Sequence, residues 1–125
     1  MEGFVIVFIG AGIGGAMRHA VNIISAKLLG SNLPYGTLMV NIFGSFVMGL
    51  LVEWFALKFD PGQLWRLWLT TGILGGFTTF SAFSLDTALL IERQAHALAV
   101  IYVVLSVVAS IGGLFLGLLV IRRFT

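Results

Sequence analysis

The sequence predicts an all-α integral membrane protein, with four transmembrane helices forming one domain over residues 1–125 and the third helix broken near its middle. Three observations predict it. Hydrophobic residues make up 59% of the chain and charged residues only 10%, so 7 basic and 5 acidic side chains would have to clothe any water-facing surface. Counted with glycine and without tyrosine, about 70% of the chain is apolar, against roughly 45–50% in soluble domains. The charges also leave four uncharged stretches, 3–17, 28–52, 67–85 and 94–121. Finally, the third stretch carries Gly75-Gly76-Phe77-Thr78-Thr79 at its centre, a poor sequence for a continuous helix. This balance excludes an ordinary soluble enzyme and a disordered chain, and the absence of cysteine excludes a disulfide scaffold, thiolate metal sites and Cys nucleophiles.

A helix needs about 20 apolar residues to cross the hydrocarbon. The second and fourth stretches reach that alone, the third with its flanks, and the first by continuing past Arg18. The expected helices run from about 3 to 26, 36 to 57, 64 to 91 and 96 to 121.

The first helix opens on Met1-Glu2-Gly3-Phe4, without the cationic start of a cleaved signal, and is read as retained. Its Gly10-Ala11-Gly12-Ile13-Gly14-Gly15 contains G-x-G-x-x-G, but no acidic residue lies between Glu2 and Glu53 to complete a dinucleotide site. Small residues that let helices approach closely explain it better, as they explain Gly72/Gly76 and Gly113/Gly117. Arg18 falls near the far boundary of this helix. It reads either as a snorkelling side chain or as an arginine lining an anion-attracting vestibule. His19 and His96 lie near span ends and are given no ligand role.

On the second helix Thr37 and Asn41 stand four apart, followed by Gly44 and Ser45. In the third, a break would free backbone carbonyls at membrane depth, where they must be buried, hydrated or bound to a cation; a kink stitched by threonine hydroxyls is the plainer alternative. Phe80 and Phe83 share a face beside Thr79, Ser81 and Ser84. Their ring edges carry positive potential and would favour an anion without holding it as a full charge would. On the fourth helix Tyr102, Ser106 and Ser110 form one stripe at intervals of four. All these groups are neutral hydrogen-bond donors. Together they read as a lined path without a titratable relay.

An even number of spans puts both termini and the 57–64 loop on one side, with Lys58, Arg66, Arg122 and Arg123. The other side has Lys27 and Arg93, with Arg18 nearby. Orientation is set by an excess of Lys and Arg, and four against three is almost none, which points to insertion both ways round. The same scatter offers no basic face for a nucleic acid.

The residues Pro34-x-Gly36-Thr37-Leu38-x-Val40-Asn41-x-x-Gly44-Ser45-Phe46, then Gly75-Gly76-Phe77-Thr78-Thr79-Phe80-Ser81-x-Phe83-Ser84, resemble the Fluc (CrcB) fluoride channels. Gly14-x-Ala16-x-Arg18 and the Tyr102/Ser106/Ser110 stripe agree, so the resemblance spans essentially the whole chain. It implies an antiparallel, dual-topology homodimer with two pores in a bacterial inner membrane, passing fluoride passively down its gradient. Phe80 and Phe83 then correspond to an aromatic box, with Asn41 as the amide donor beside it. Tyr102, Ser106 and Ser110 correspond to a hydroxyl track, with Ser81, Thr37 and Arg18 along the same pathway. The carbonyls of Gly75 and Thr78 correspond to those that hold a structural sodium ion (Na+) on the dimer axis. One departure stands out: residue 82 is Ala where the family more often has Thr or Ser, and Ala82→Thr is expected to alter fluoride flux. The rival reading is a small multidrug-resistance-type proton-coupled transporter. It needs an ionisable carboxylate within the membrane, whereas Glu2, Glu53, Asp86 and Glu92 lie toward span ends and Asp60 in a loop.

Overall fold

A computed structural model describes residues 1–124. Its helices are α1 (Glu2–Leu29), α2 (Tyr35–Leu57), α3 (Gln63–Arg66), α4 (Gly75–Phe77), α5 (Phe80–Glu92) and α6 (His96–Arg123), with π-helical turns over Leu67–Leu74 joining α3 to α4. Four helical segments are long and apolar enough to cross a membrane: Glu2–Leu29, Tyr35–Leu57, Gln63–Glu92 and His96–Arg123. Each expected helix end lies within three residues of an observed one. Among the described residues there is no strand.

The chain reverses where its sequence favours reversal. Gly30 ends α1 with φ 83° and Gly62 precedes α3 with φ 91°, conformations open to glycine without a Cβ penalty. The 57–63 loop closes on Asp60, whose Oδ1 accepts from Gly62 N at 3.0 Å and from Arg66 Nη2 at 3.2 Å. At the other end Arg93 Nη2 donates to Asn32 O at 3.2 Å, tying the two loops there together. All three tryptophans, Trp54, Trp65 and Trp68, gather at the end that holds the 57–63 loop, where Trp65 and Trp68 meet edge to face at 5.4 Å.

Small residues set how closely the helices pack. A Cβ on Gly10 would stand 3.0 Å from Gly72 Cα, and one on Gly14 would run into the Ile73 carbonyl. The glycine-rich run of α1 is thus a seam against the third segment, as a helix-packing motif should be. Gly49 meets Leu114 and Gly117 meets Phe46 in the same way, joining α2 to α6. The buried core is small: Leu38, Leu90, Ala99 and Tyr102 cluster, with Leu33, Ile42, Phe83 and Ala95 packed around them. In lipid this suffices, because the outward apolar side chains need no burial to avoid water. Glu53 of α2, itself buried, pairs with Arg122 near the end of α6.

Candidate functional site

Between Phe77 and Phe80 the backbone leaves the helix: Thr78 has φ −88°, ψ 160° and Thr79 has φ −157°, ψ 124°. This extended pair exposes backbone groups that a helix would have satisfied, and side chains from two other helices and from the pair itself answer them. Thr79 Oγ1 accepts from Ala82 N at 3.1 Å and so caps α5. Asn41 grips Thr79 from α2 in both directions, its Oδ1 accepting from Thr79 N at 2.8 Å and its Nδ2 donating to Thr79 O at 3.0 Å. Arg18 reaches across from α1, and its Nε donates to Gly76 O at 3.2 Å. Thr78 Oγ1 turns back to Leu74 O at 2.9 Å.

The pair opens onto a cavity of about 310 Å³ lined by Asn41 and Ser45 of α2, Phe80 and Phe83 of α5, and Ser106 and Ser110 of α6, with Thr78 and Thr79 between them. Phe80 and Phe83 lie 5.4 Å apart at 48°. Ser106 and Ser110 carry buried hydroxyls that find no hydrogen-bond partner among the described residues. Elsewhere in the bundle hydroxyls are satisfied on their own helix: Ser84 donates to Phe80 O at 3.0 Å and Thr87 to Phe83 O at 2.9 Å. A membrane helix offers every serine that option. Ser106 and Ser110 do not take it.

A second cavity of about 530 Å³ lies toward the end bearing the 30–34 and 93–95 turns, lined among others by Asn22, Thr37, Ala82, Asp86 and Arg93. Tyr102 stands beside both. Its ring packs on Phe83 at 5.4 Å, and its hydroxyl donates to Asp86 Oδ2 at 3.1 Å.

Of the residues singled out in the sequence, Asn41, Phe80, Phe83, Ser106 and Ser110 meet in the smaller cavity. Thr37 and Tyr102 lie at or beside the larger one. Ser81 lines neither; its hydroxyl lies 3.2 Å from Thr79 Oγ1. Arg18 lines neither as well; its Nε makes the contact with the Gly76 carbonyl described above. Asn41 spends one of its two Nδ2 hydrogens on Thr79, leaving one to give. Sequence reasoning passed over Asp86 as a span-end charge. Its spacing three residues after Phe83 places it on the same face of α5 and was the available signal. Ser45 was noted in the sequence only as following Asn41, and it lines the same cavity.

Gly75 and Thr78 satisfy a chemical test for holding a hard cation. In an uninterrupted helix their carbonyls would accept from Thr79 N and Ala82 N. Thr79 N donates to Asn41 and Ala82 N to Thr79 Oγ1 instead, which leaves two oxygen donors of the right kind. No group of three or more His, Asp or Glu side chains converges among the described residues, so any ion here would depend on such backbone oxygens.

Residues 5–118 match the family described as CrcB-like protein, Camphor Resistance (CrcB). The chain is 57% identical over 119 residues to a fluoride-specific ion channel FluC of Methylobacterium nodulans, covering 95% of both proteins. It is 50% identical over 122 residues to fluoride-specific ion channel FluC 2 of Nitrobacter hamburgensis, covering 98% of both. A fluoride-specific ion channel FluC of Granulibacter bethesdensis is 55% identical over 122 residues, covering 98% of this chain and 96% of that one. With a family model matched over most of its length and relatives 50–57% identical over nearly all of theirs, this multi-pass membrane chain belongs to the CrcB (Fluc) family, which is a family of ion channels and not of enzymes.

Proposed function

We propose that this chain is a fluoride-selective passive channel of the bacterial inner membrane, working as an antiparallel homodimer with two pores and exporting fluoride down its gradient. The observation that carries the proposal is the pair of buried, unpartnered hydroxyls of Ser106 and Ser110 in one cavity with Phe80, Phe83 and Asn41. A neutral donor set suits an anion that must shed its water stepwise and still leave. Ring edges add positive potential without a fixed charge. Ser81, Thr37, Tyr102 and Arg18 complete the proposed pathway, Arg18 by holding the Gly76 carbonyl in place.

The homodimer is supported by what a single chain leaves open. Phe80 is 77% exposed although it lines the cavity, and a polar groove at membrane depth needs a protein wall. A second, inverted copy supplies one, in keeping with the even distribution of basic residues. In that pair the extended residues 78–79 act as the break of the third transmembrane helix. The Gly75 and Thr78 carbonyls of both copies would form a four-oxygen cage for a structural sodium ion, whose charge would balance the carbonyl dipoles gathered there.

Fluoride efflux from liposomes holding only the purified chain tests the reading, repeated with chloride and with Phe80→Ile. Rapid fluoride loss, retained chloride and a slowed variant are expected. Wild-type protein that is folded but passes no fluoride would refute it.

A further inference from the structure

The larger cavity carries charges that the reading above does not use. Asp86 and Glu92 of α5 line it together with Arg93, which caps the end of that helix. Lys27, toward the same end on α1, lines neither cavity. The wall therefore sets two carboxylates against one guanidinium, and the negative pole of α5 falls there as well. For an anion that balance is adverse, since low-dielectric walls focus the field of the charges that line a cleft. Arg93 is not spent on a carboxylate. Among the described residues it forms no ion pair with Glu92, its neighbour in the chain, and its Nη2 donates to Asn32 O at 3.2 Å. The backbone holds it there. Gln94 follows with φ 63°, the one non-glycine residue with positive φ among the described residues. It closes α5 through bonds from Gln94 N to Ile91 O at 3.0 Å and from Ala95 N to Leu90 O at 2.9 Å.

We infer that Arg93 is the countercharge that keeps the larger cavity passable to an anion. It offsets Asp86, Glu92 and the end of α5, and so sets how fast fluoride enters the pathway from that side. The inference rests on the fluoride reading and deepens it by naming a rate-setting residue outside the neutral donor set. Arg93 acts through its field and not as a binding group. Its tie to Asn32 keeps it at the turns that rim the larger cavity, and it does not line the smaller one that holds Phe80 and Phe83. Conduction needs that division. A full positive charge beside the donors would trap the ion, whereas at the rim it only raises the local concentration.

Charge variants of the full-length chain in liposomes test this. Efflux is measured at low fluoride in about 10 mM and about 1 M of a salt whose anion is too large to permeate, between which the screening length falls from about 30 Å to about 3 Å. Across several ångströms of mixed protein and water, one unit charge changes the local ion concentration about three- to tenfold. Arg93→Gln should therefore slow efflux about three- to tenfold at low salt and by less than about twofold at high salt. Glu92→Gln should speed low-salt efflux by a similar factor. Arg93→Lys keeps the charge and loses the planar fork, and should conduct within about twofold of wild type at both salts. No low-salt loss in Arg93→Gln, the same loss at both salts, a matching loss in Arg93→Lys, or efflux slowed or unchanged in Glu92→Gln would each overturn the inference and leave the channel reading intact. Wild-type protein that passes no fluoride would instead sink both.

Discussion

Ser106→Ala separates a residue kept for packing from one kept for an ion. Ser106 is 94% buried by its 6% exposure, and its hydroxyl has no partner among the described residues. A buried hydroxyl left unpaired carries a desolvation penalty of about 1–3 kcal/mol. Alanine removes the oxygen and with it the penalty, while the methyl-sized void left behind costs about 1 kcal/mol or less. The variant should therefore be as stable as wild type, or more stable by up to about 2 kcal/mol. Ser84→Ala gives the contrast, because that hydroxyl is already paired with the Phe80 carbonyl at 3.0 Å. Reversible unfolding in mixed detergent micelles measures the first quantity, and fluoride-electrode efflux from liposomes the second. Flux through Ser106→Ala should fall about tenfold, the worth of one hydrogen bond to an ion in transit. A variant destabilised by more than about 1 kcal/mol, or one conducting at the wild-type rate, would show that the hydroxyl serves the fold.

Three further outcomes follow from the same geometry. Asn41→Leu removes both contacts to Thr79 and should destabilise the chain by about 1–3 kcal/mol, since bonds of this kind inside a membrane average under 1 kcal/mol and reach nearly 2; unfolding midpoints in micelles would read the loss, and flux should fall with it. Gly14→Ala drives a methyl into the Ile73 carbonyl and should cost about 1–3 kcal/mol, whereas Gly12→Ala, with nothing within 4 Å, should be neutral or stabilising; equal stabilities would contradict the packing described for α1. Glu53→Gln weakens the pair with Arg122, whose side chain is 54% exposed. With one partner so open to water the loss should be about 1 kcal/mol or less, with fluoride flux unchanged. Faster proteolysis near the chain's end, without loss of flux, would agree with that role.

How much of this was legible beforehand depends on the range of the interaction. The helices were, because spacing between charges is local and hydrocarbon thickness fixes the length a helix must reach. The Tyr102/Ser106/Ser110 stripe was, because a period of four on one helix keeps its face whatever packs against it. The Asn41 contact with Thr79 was not, since it joins residues 38 positions apart and exists only because the backbone at Thr79 is extended. The Arg18 contact with Gly76 was hidden for a related reason: counting residues gives the depth of Arg18 in the membrane but not a carbonyl on another helix to which it can donate. The π-helical turns over Leu67–Leu74 have no local signature either. They lie where α1 approaches closely, Gly10 on Gly72, an approach that one helix's sequence cannot reveal.

The gathering of Trp54, Trp65 and Trp68 at one end gives the molecule a built-in optical label. Every tryptophan photon originates near the same boundary, so intrinsic emission reports the depth and accessibility of that end alone. In vesicles that hold only the purified chain, an impermeant quencher added outside reaches the emission of those copies alone whose tryptophan end faces out, so the quenched fraction reads the orientation without an engineered cysteine or dye.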